Sequence, residues 1–379
     1  MPSGYLPRVL AVLMSSLPLV AAACAGAASP PPAPAPPAGA APASAPPAVQ
    51  PTAATSAAPP APAALETVRA GLNGNLSEAA FYIAMDEGYF QSEGITLDTE
   101  QFNSATQMVA VLASGQLDVG GGAPGGGLYN AITRDIPVKI VADRGHTQPG
   151  SAYEGLVVRK DLYDSGAVRG PADLRGKKVV VASLGTTGEV ALDRLVKPVG
   201  LTLADLELVP MGYPDTPQAF ANGSVDAGML AEPFITRIVS AGSGVVLARK
   251  DEFYPGHQGA VVLYGPAFIN DRPEVARRFL VAYLRGARLY NDAFFKNDAA
   301  AKQRVVDILV KDTTLKDPAL YNSMPMPGID PNGALNLDSL DADQDWWVAA
   351  GYQQRKVPLD EVVDTSFLKA AVERLGPYQ

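Results

Sequence analysis

Cysteine and histidine are almost absent from this chain. Its 379 residues include one cysteine, Cys24, and two histidines, His146 and His257. Everything after Cys24 therefore lacks the thiols needed for a disulfide, a thiolate nucleophile or a cysteine-based zinc site. Two histidines also argue against a histidine-rich metal site. No Gly-x-Ser-x-Gly or His-Glu-x-x-His motif occurs. We expect a protein without catalytic groups, metal or cofactor.

Positive charge is also scarce. Lysine and arginine number 30 against 39 aspartates and glutamates, which gives a net charge of -9. Nucleic-acid-binding proteins usually present basic surfaces, so a nucleic-acid partner is not expected. With 47% hydrophobic residues, the chain can bury a large core. Its length indicates roughly two domains.

The N-terminus has the pattern of an export signal. Arg8 is followed by a mostly apolar run, residues 9–20, which is shorter than a typical membrane-spanning helix. Ala21-Ala22-Ala23-Cys24 comes next, and it resembles a bacterial lipobox, which implies cleavage before Cys24 and diacylation of its sulfur. A lipobox prefers leucine where Ala21 stands, so an ordinary Ala-x-Ala cleavage site is the alternative. We predict a signal peptide over residues 1–23.

Residues 25–64 carry no charge and consist mainly of proline, alanine, serine and threonine. Such a segment cannot form a core and is typical of a partly extended tether. We therefore predict a lipid-modified Cys24 and a disordered tether over residues 24–65. The lipid would be the protein's sole membrane attachment, holding a globular domain outside the cytoplasm.

The remaining chain alternates between β-rich and helical patterns. Strands are predicted at residues 67–72, 95–102, 138–142, 155–159, 178–183, 206–211 and 245–248. Ser77 is a candidate cap for a helix ended by Gly88, and a long helix is predicted from near Pro273 towards Phe294. This alternation indicates an α/β fold with mainly parallel sheets, which bind ligands beyond the carboxyl ends of their strands.

Several phrases then carry a family resemblance. Residues 81–90 (FYIAMDEGYF), with Glu93-Gly94-Ile95 after them, resemble the opening of the NMT1/SsuA-like solute-binding proteins that serve ABC importers. The similarity continues through residues 110–119 (AVLASGQLDV), 173–179 (DLRGKKV) and 219–227 (AFANGSVDA), and through Glu232-Pro233. Each phrase alone is weak, but together they cover nearly all of residues 66–300 in order.

The resemblance implies a type II periplasmic-binding-protein fold, in which two α/β lobes joined by two crossing strands close around a ligand. Lobe 1 is predicted at residues 66–157 plus 260–379, and lobe 2 at residues 158–259. The implied partners are a small-molecule ligand, an ABC permease and its ATPase. We expect a monomer that is not an enzyme, anchored on the periplasmic side or outer face of the cytoplasmic membrane.

Candidate ligand-binding residues lie in the loops predicted at strand ends. Serines and threonines there suit an anionic or carbonyl oxygen, aromatic rings can sandwich a flat ring, and Arg144 can hold an anionic group or pair with Asp143. For each residue, capping or core packing is the alternative. The candidates are Asn73, Ser77, Tyr82, Ser104, Thr106, Gly121, Gly122, Gly126, Tyr129, Arg144, His146, Ser183, Thr186, Thr187, Tyr213, Glu232 and Phe234.

Residues 119–132 (VGGGAPGGGLYNAI) contain six glycines between Gly120 and Gly127. No Gly-Lys-Ser/Thr follows, so a nucleotide-binding loop is excluded. The glycines are predicted to form a wall that lets backbone amides lie against a ligand. Close helix–strand packing is the alternative.

The favoured function is capture of a small organic solute for an ABC importer. Few lysines or arginines occur in the loops, so a flat heterocycle such as riboflavin, thiamin or a pyrimidine precursor is the first expectation, as in vitamin uptake. A sulfonate, nitrate or aromatic carboxylate is the alternative ligand. Two other classes are a ligand-presenting sensor and an enzyme of the pyrimidine-synthase type, the latter disfavoured because the globular part has no cysteine.

Overall fold

The computed structural model describes residues 65–102, 105–150 and 153–378. These residues form two five-stranded sheets. The strands are β1 (Glu66–Leu72), β2 (Ile95–Gln101), β3 (Val119–Gly122), β4 (Lys139–His146), β5 (Glu154–Arg159), β6 (Lys178–Val181), β7 (Glu207–Pro210), β8 (Ala227–Ala231), β9 (Gly244–Arg249) and β10 (Gln258–Tyr264). A strand is found at each of the seven predicted positions.

The two sheets have equivalent topologies. The first is ordered β2-β1-β3-β10-β4 and the second β7-β6-β8-β5-β9. In each sheet, the first three strands of this order pair in parallel. The fourth strand runs antiparallel to both of its neighbours. Four of the five strands in each sheet therefore run in the same direction, in agreement with the predicted mainly parallel sheets, and one strand is antiparallel. Both sheets are mixed, because β10 and β5 enter from the opposite direction.

Helices cover the faces of both sheets. They are α1 (Ala79–Asp86), α2 (Tyr89–Ser92), α3 (Ala105–Ala113), α4 (Gly126–Ile132), α5 (Lys160–Asp164), α6 (Thr187–Val196), α7 (Thr216–Ala221), α8 (Phe234–Ser240), α9 (Lys250–Phe253), α10 (Pro266–Asp271), α11 (Pro273–Phe294), α12 (Ala299–Asp312), α13 (Leu337–Ala349), α14 (Leu359–Val362) and α15 (Ser366–Leu375). None of these helices is both long enough and apolar enough to cross a membrane.

The predicted long helix is confirmed as α11, whose apolar face packs against α1. Phe81 of α1 lies with its ring centroid 4.9 Å from that of Tyr283. The predicted Ser77 cap was wrong. A 3-10 turn, Leu76–Glu78, precedes α1, and the Asn75 side chain caps it by accepting a hydrogen bond from the Ser77 amide. Asparagine is a strong cap, and it stands one turn ahead of the apolar periodicity.

The repeated A-x-L-A-S/N-G-x-x-D phrase occupies equivalent places in the two sheets. Asp118 precedes β3 and accepts a hydrogen bond from the Arg69 amide over 2.8 Å. Asp226 precedes β8 and accepts one from the Lys178 amide over 2.9 Å. Asp118 thus ties the start of β3 to the middle of β1, and Asp226 ties the start of β8 to the start of β6, as expected for a structural role.

The chain passes between the sheets twice. It leaves β4 for β5 and later returns from β9 to β10. The two passages pair through their backbones, since the Thr147 amide donates to the His257 carbonyl over 2.8 Å and the Gly256 amide donates to the Thr147 carbonyl over 2.9 Å. We use "first lobe" and "second lobe" for the first and second sheet with their helices. The residue limits given for the lobes above stay a prediction.

Candidate functional site

A cleft lies where the carboxyl ends of strands from both lobes meet. Asn73 and Asn75 follow β1, Ser183 follows β6, and Tyr213 follows β7. This is the position expected for a ligand site in an α/β fold. Among the described residues, the lining consists of Asn73, Asn75, Ala105, Ala123, Tyr153, Glu154, Ala182, Ser183, Thr186, Tyr213, Ala231, Gly259 and Ala260.

The cleft is nearly closed in this structure. Its volume is about 30 Å³, which corresponds to roughly two water molecules at ~10–15 Å³ each on this measure. Pockets that hold small organic ligands are typically ~300–1,000 Å³. The lobes must therefore part, or the lining side chains must move, before such a solute can enter.

Four of the predicted ligand-binding residues line this cleft: Asn73, Ser183, Thr186 and Tyr213. Ser183 is notable because its buried hydroxyl oxygen has no hydrogen-bond partner among the described residues. A buried hydroxyl without a hydrogen-bond partner lowers the stability of the folded protein. It is consequently a group that a solute can satisfy.

Arg144 lies directly behind Asn73. It is fully buried, and its Nη2 donates to Oδ1 of Asn73 over 2.7 Å. Its Nη1 lies 3.3 Å from Oε1 of Glu78, which is also fully buried. The partner of Arg144 is therefore Glu78 and not Asp143, the partner considered from the sequence. Ser77, another predicted residue, lies beside the same guanidinium at 3.3 Å.

Glu78 organises the loop that carries Asn73. Its carboxylate accepts hydrogen bonds from the amides of Asn73 and Gly74 over 2.6 and 2.7 Å. The Tyr82 hydroxyl donates to the same carboxylate over 3.0 Å. Burial raises the pKa of Tyr82, and the charge of Glu78 raises it further. Tyr82 thus stabilises the loop through its hydrogen bond to Glu78, and it is not among the residues that line the cleft.

His146 lies at the end of β4 and is paired with Asp143. Its Nδ1 lies 3.0 Å from Oδ2 of Asp143. Burial alone would lower the pKa of His146, but the hydrogen bond and charge of Asp143 outweigh it and raise the pKa. Asp143 also accepts from Nε2 of Gln258 over 2.6 Å and from the Asp330 amide over 2.7 Å. This cluster braces β4 against β10.

The glycine-rich segment touches the second lobe directly. Gly125 forms an antiparallel bridge with Thr186, and the Gly126 amide donates to the Gly185 carbonyl over 3.0 Å. A side chain at Gly125 would put its Cβ 2.5 Å from that Gly185 oxygen. These two glycines therefore allow the backbones of the two lobes to meet at the edge of the cleft.

Two further glycines of the segment face their own lobe. A Cβ at Gly121 would lie 2.5 Å from the Val261 carbonyl oxygen and 2.9 Å from Nη1 of Arg144. Gly122 has a φ of +136° and its Cβ would meet Asn73 and Ala105 at 2.9 Å. The alternative of close packing therefore accounts for Gly121, while Gly122 adjoins two lining residues.

The other predicted residues lie in different surroundings. Tyr129 is fully buried against Trp347, with ring centroids 5.5 Å apart. Phe234 stacks on Tyr213 with a centroid distance of 5.9 Å.

The remaining polar candidates also differ in their surroundings. Glu232 is buried and accepts a hydrogen bond from the Thr236 amide over 2.9 Å. Thr187 is buried at the start of α6, whereas Thr106 is exposed. Ser104 and Cys24 lie outside the described residues. Ligand contact by the predicted binding residues of this group and lipidation of Cys24 stay predictions.

Residues 75–292 match the model of the family described as NMT1/THI5 like. This is more than half of the chain. The chain belongs to the NMT1/THI5-like family. The match begins at the Asn75 cap and ends within α11, so it includes both sheets except β1 and the whole described cleft lining except Asn73.

Two curated relatives are similar over most of the chain. A binding protein of Brucella abortus (strain 2308) is 26% identical over 282 residues, 73% of this chain and 83% of that protein. A protein of Bacillus subtilis (strain 168), named as an aliphatic sulfonates-binding protein, is 26% identical over 318 residues, 82% of this chain and 89% of that protein.

Solved structures show the same architecture. The alkanesulfonate-binding protein SsuA from Xanthomonas axonopodis pv. citri, bound to MOPS, matches with a TM-score of 0.63 and 18% identity over 80% of this chain and 99% of that chain. At this identity the likeness shows the fold alone. The expected type II periplasmic-binding-protein fold is thereby confirmed for this NMT1/THI5-like protein.

Sequence reasoning missed several lining residues. Asn75 was overlooked because Ser77 was taken as the helix cap two residues later. Glu154 opens β5 and lines the cleft beside Tyr153, but in the sequence it is simply an acidic residue before an apolar strand. Gly259 reaches the cleft only because β10 returns to the first sheet. Of these, only Asn75 carried a local signal, its position as a potential cap after β1.

Proposed function

We propose that this protein is the solute-binding component of an ABC-type importer, which captures a small organic solute and delivers it to a membrane permease. The observation that carries this proposal is a polar cleft lined by both lobes at the carboxyl ends of their strands. Hinged lobes that close on a ligand are a well-known means of capture. The similarity to proteins named for solute binding supports the same conclusion.

The solute is best described as one with an oxygen-rich head group, such as a sulfonate or a carboxylate. The cleft offers the side-chain amides of Asn73 and Asn75 and the hydroxyls of Ser183 and Thr186, all of which can donate hydrogen bonds to such a group. The described lining includes two aromatic rings, those of Tyr153 and Tyr213. The flat heterocycle favoured by the sequence becomes the second possibility, because several of the rings expected to sandwich it lie in the core.

Binding and not catalysis is the proposed activity. The chain after Cys24 has no thiol, and both histidines are engaged, His146 with Asp143 and His257 with Asp343. Nε2 of His257 lies 2.8 Å from Oδ2 of Asp343, and the ring is fully buried. Neither imidazole is among the residues that line the cleft.

Calorimetry on the purified full chain tests this proposal. The panel should contain alkanesulfonates, carboxylates, nitrate, riboflavin, thiamin and pyrimidines. We expect saturable binding of a sulfonate or carboxylate with a stoichiometry of one. Binding of a heterocycle alone would favour the second possibility, and the absence of binding to any solute would contradict the proposal. In cells, deletion of the partner permease should abolish uptake of the bound solute.

We also propose that Cys24 carries a lipid that holds the protein at the outer face of the cytoplasmic membrane. The support is the lipobox-like Ala21-Ala22-Ala23-Cys24 sequence and the uncharged tether that follows it. Cell fractionation tests this, since the wild-type protein should sediment with membranes and the Cys24→Ala variant should not. Equal membrane association of both proteins would contradict the proposal.

A further inference from the structure

Glu154 is the charged residue on the described cleft lining, and nothing in the lining contributes a lysine or arginine side chain. Glu154 is the first residue of β5, where the chain enters the second lobe, and it is 6% exposed. A carboxylate at this place is unexpected for a site that takes a bare anion, since like charges repel in a medium of low dielectric constant.

A buried lysine forms an ion pair with Glu154. Nζ of Lys250, whose side chain is fully buried, lies 2.5 Å from Oε2 of Glu154. A carboxylate has about four lone-pair positions, so one bond from lysine leaves acceptor capacity on the group. Glu154 can therefore accept a hydrogen bond from a solute while its charge stays paired.

Gly259 leaves open space at this carboxylate. A Cβ at Gly259 would lie 2.9 Å from Oε2 of Glu154 and 2.7 Å from the Tyr153 hydroxyl oxygen. Both Gly259 and Tyr153 line the cleft. A side chain on β10 at this point would cover the carboxylate, and glycine keeps it accessible.

The opposite side of the cleft has a second balanced pair, Arg144 with Glu78 behind Asn73. Each of the two ion pairs is neutral in itself, so an entering monoanion would be buried with an unpaired negative charge. Burying an unpaired charge is costly. A solute that carries both a negative oxygen-rich group and a positive amino group adds no net charge.

Resting on the proposed function, we infer that Glu154 is a specificity-determining residue that binds an amino group on the solute. The oxygen-rich group of the same solute lies at Asn73, Ser183 and Thr186. The substrate class is then small amino-sulfonates and amino-carboxylates. Their hydroxyl analogues, which are net anions, are discriminated against.

Matched pairs of solutes test the inference by calorimetry on the full chain. Taurine and isethionate differ in an amino against a hydroxyl group, as do β-alanine and 3-hydroxypropionate. We expect the amino member of at least one pair to bind at least tenfold more tightly. In Glu154→Gln the preference should fall to within about threefold, since a neutral amide forms a weaker bond to an ammonium group. Glu93→Gln is the control, because Glu93 pairs with Arg374 and is not on the lining.

The Glu154→Gln change leaves Lys250 buried without its partner, so Glu154→Gln/Lys250→Met is the second variant. It removes both charges and should also lose the preference. Equal affinity of the wild-type protein for the two members of each pair, or retention of the preference in the double variant, would overturn the inference and leave the proposed function standing. Failure of the wild-type protein to bind any of the four solutes would contradict the inference and the proposed head group together.

Discussion

The hydroxyl of Tyr352 donates a hydrogen bond to Oε1 of Glu189 over 3.0 Å. Tyr352 follows α13, and its carbonyl oxygen accepts from Nδ2 of Asn130 in α4 over 2.7 Å. Glu189 belongs to α6, and the amide of Gly185 donates to its other oxygen. Burial raises the pKa of Tyr352 to about 12, and the charge of Glu189 contributes. One tyrosine therefore links the two lobes beside the cleft.

Replacing this tyrosine should loosen the closed state. Tyr352→Phe removes the bond to Glu189, and we expect a loss of about 1 kcal/mol in unfolding free energy. Small-angle X-ray scattering should show a larger radius of gyration, because fewer bonds hold the lobes together. The control is Tyr378→Phe, which removes a 2.7 Å bond to Asp292 that lies away from the cleft. A radius unchanged by Tyr352→Phe, or raised equally by the control, would contradict a linking role.

Gly121 should prove intolerant of any side chain. A Cβ added at this position would lie 2.5 Å from the Val261 carbonyl oxygen. Overpacking of this kind typically lowers the unfolding free energy by ~1–3 kcal/mol. Urea denaturation of Gly121→Ala measures that loss. Gly127→Ala is the matched control, since its nearest neighbour is Cγ2 of Thr106 at 3.6 Å. Undiminished stability of Gly121→Ala with weakened solute binding would instead support the glycine wall predicted from the sequence.

His146 should make stability depend on pH. Its pKa is raised in the folded protein, so its pairing with Asp143 stabilises the fold fully below the unfolded-state pKa of about 6.5. That contribution is lost as pH rises through the folded-state pKa. Burial lowers the pKa of His257 and acts in the opposite direction, but it is common to the proteins compared. The Tm advantage of wild type over His146→Gln should therefore shrink between about pH 6 and pH 8. An advantage that grows over this range would contradict the assignment.

The strands and the family were predictable because their signals are local. Alternating apolar stretches marked β1, β2 and β5 to within about a residue. The antiparallel strand of the first sheet was not predictable from local signals, because β10 pairs with β3 and β4 only after the second lobe is complete. The Asp118 and Asp226 roles followed from their repeated spacing and are confirmed.

The cleft was only partly predictable for a related reason. Asn73, Ser183, Thr186 and Tyr213 follow strands, so position alone indicated them. The partners that set the charge of the cleft are remote in sequence, with Lys250 lying 96 residues from Glu154. The pairing of Arg144 with Glu78 likewise joins β4 to the turn before α1. No local pattern connects such residues, and only the folded chain brings them together.

Ser183→Ala tests the account's central claim, that this cleft is the solute site. The Ser183 hydroxyl is buried without a partner among the described residues, so its removal should cost little stability while weakening solute binding. Thr147→Val is the control, because the Thr147 hydroxyl is also buried without a partner in that part of the chain but is not on the cleft lining.

The most direct measurement is isothermal titration of the best-bound solute into wild type, Ser183→Ala and Thr147→Val. The account predicts a loss of about 1–2 kcal/mol of binding free energy for Ser183→Ala, roughly five- to thirtyfold in Kd. Thr147→Val should match wild type. Wild-type affinity in Ser183→Ala, or an equal loss in both variants, would contradict the claim that the solute binds in this cleft.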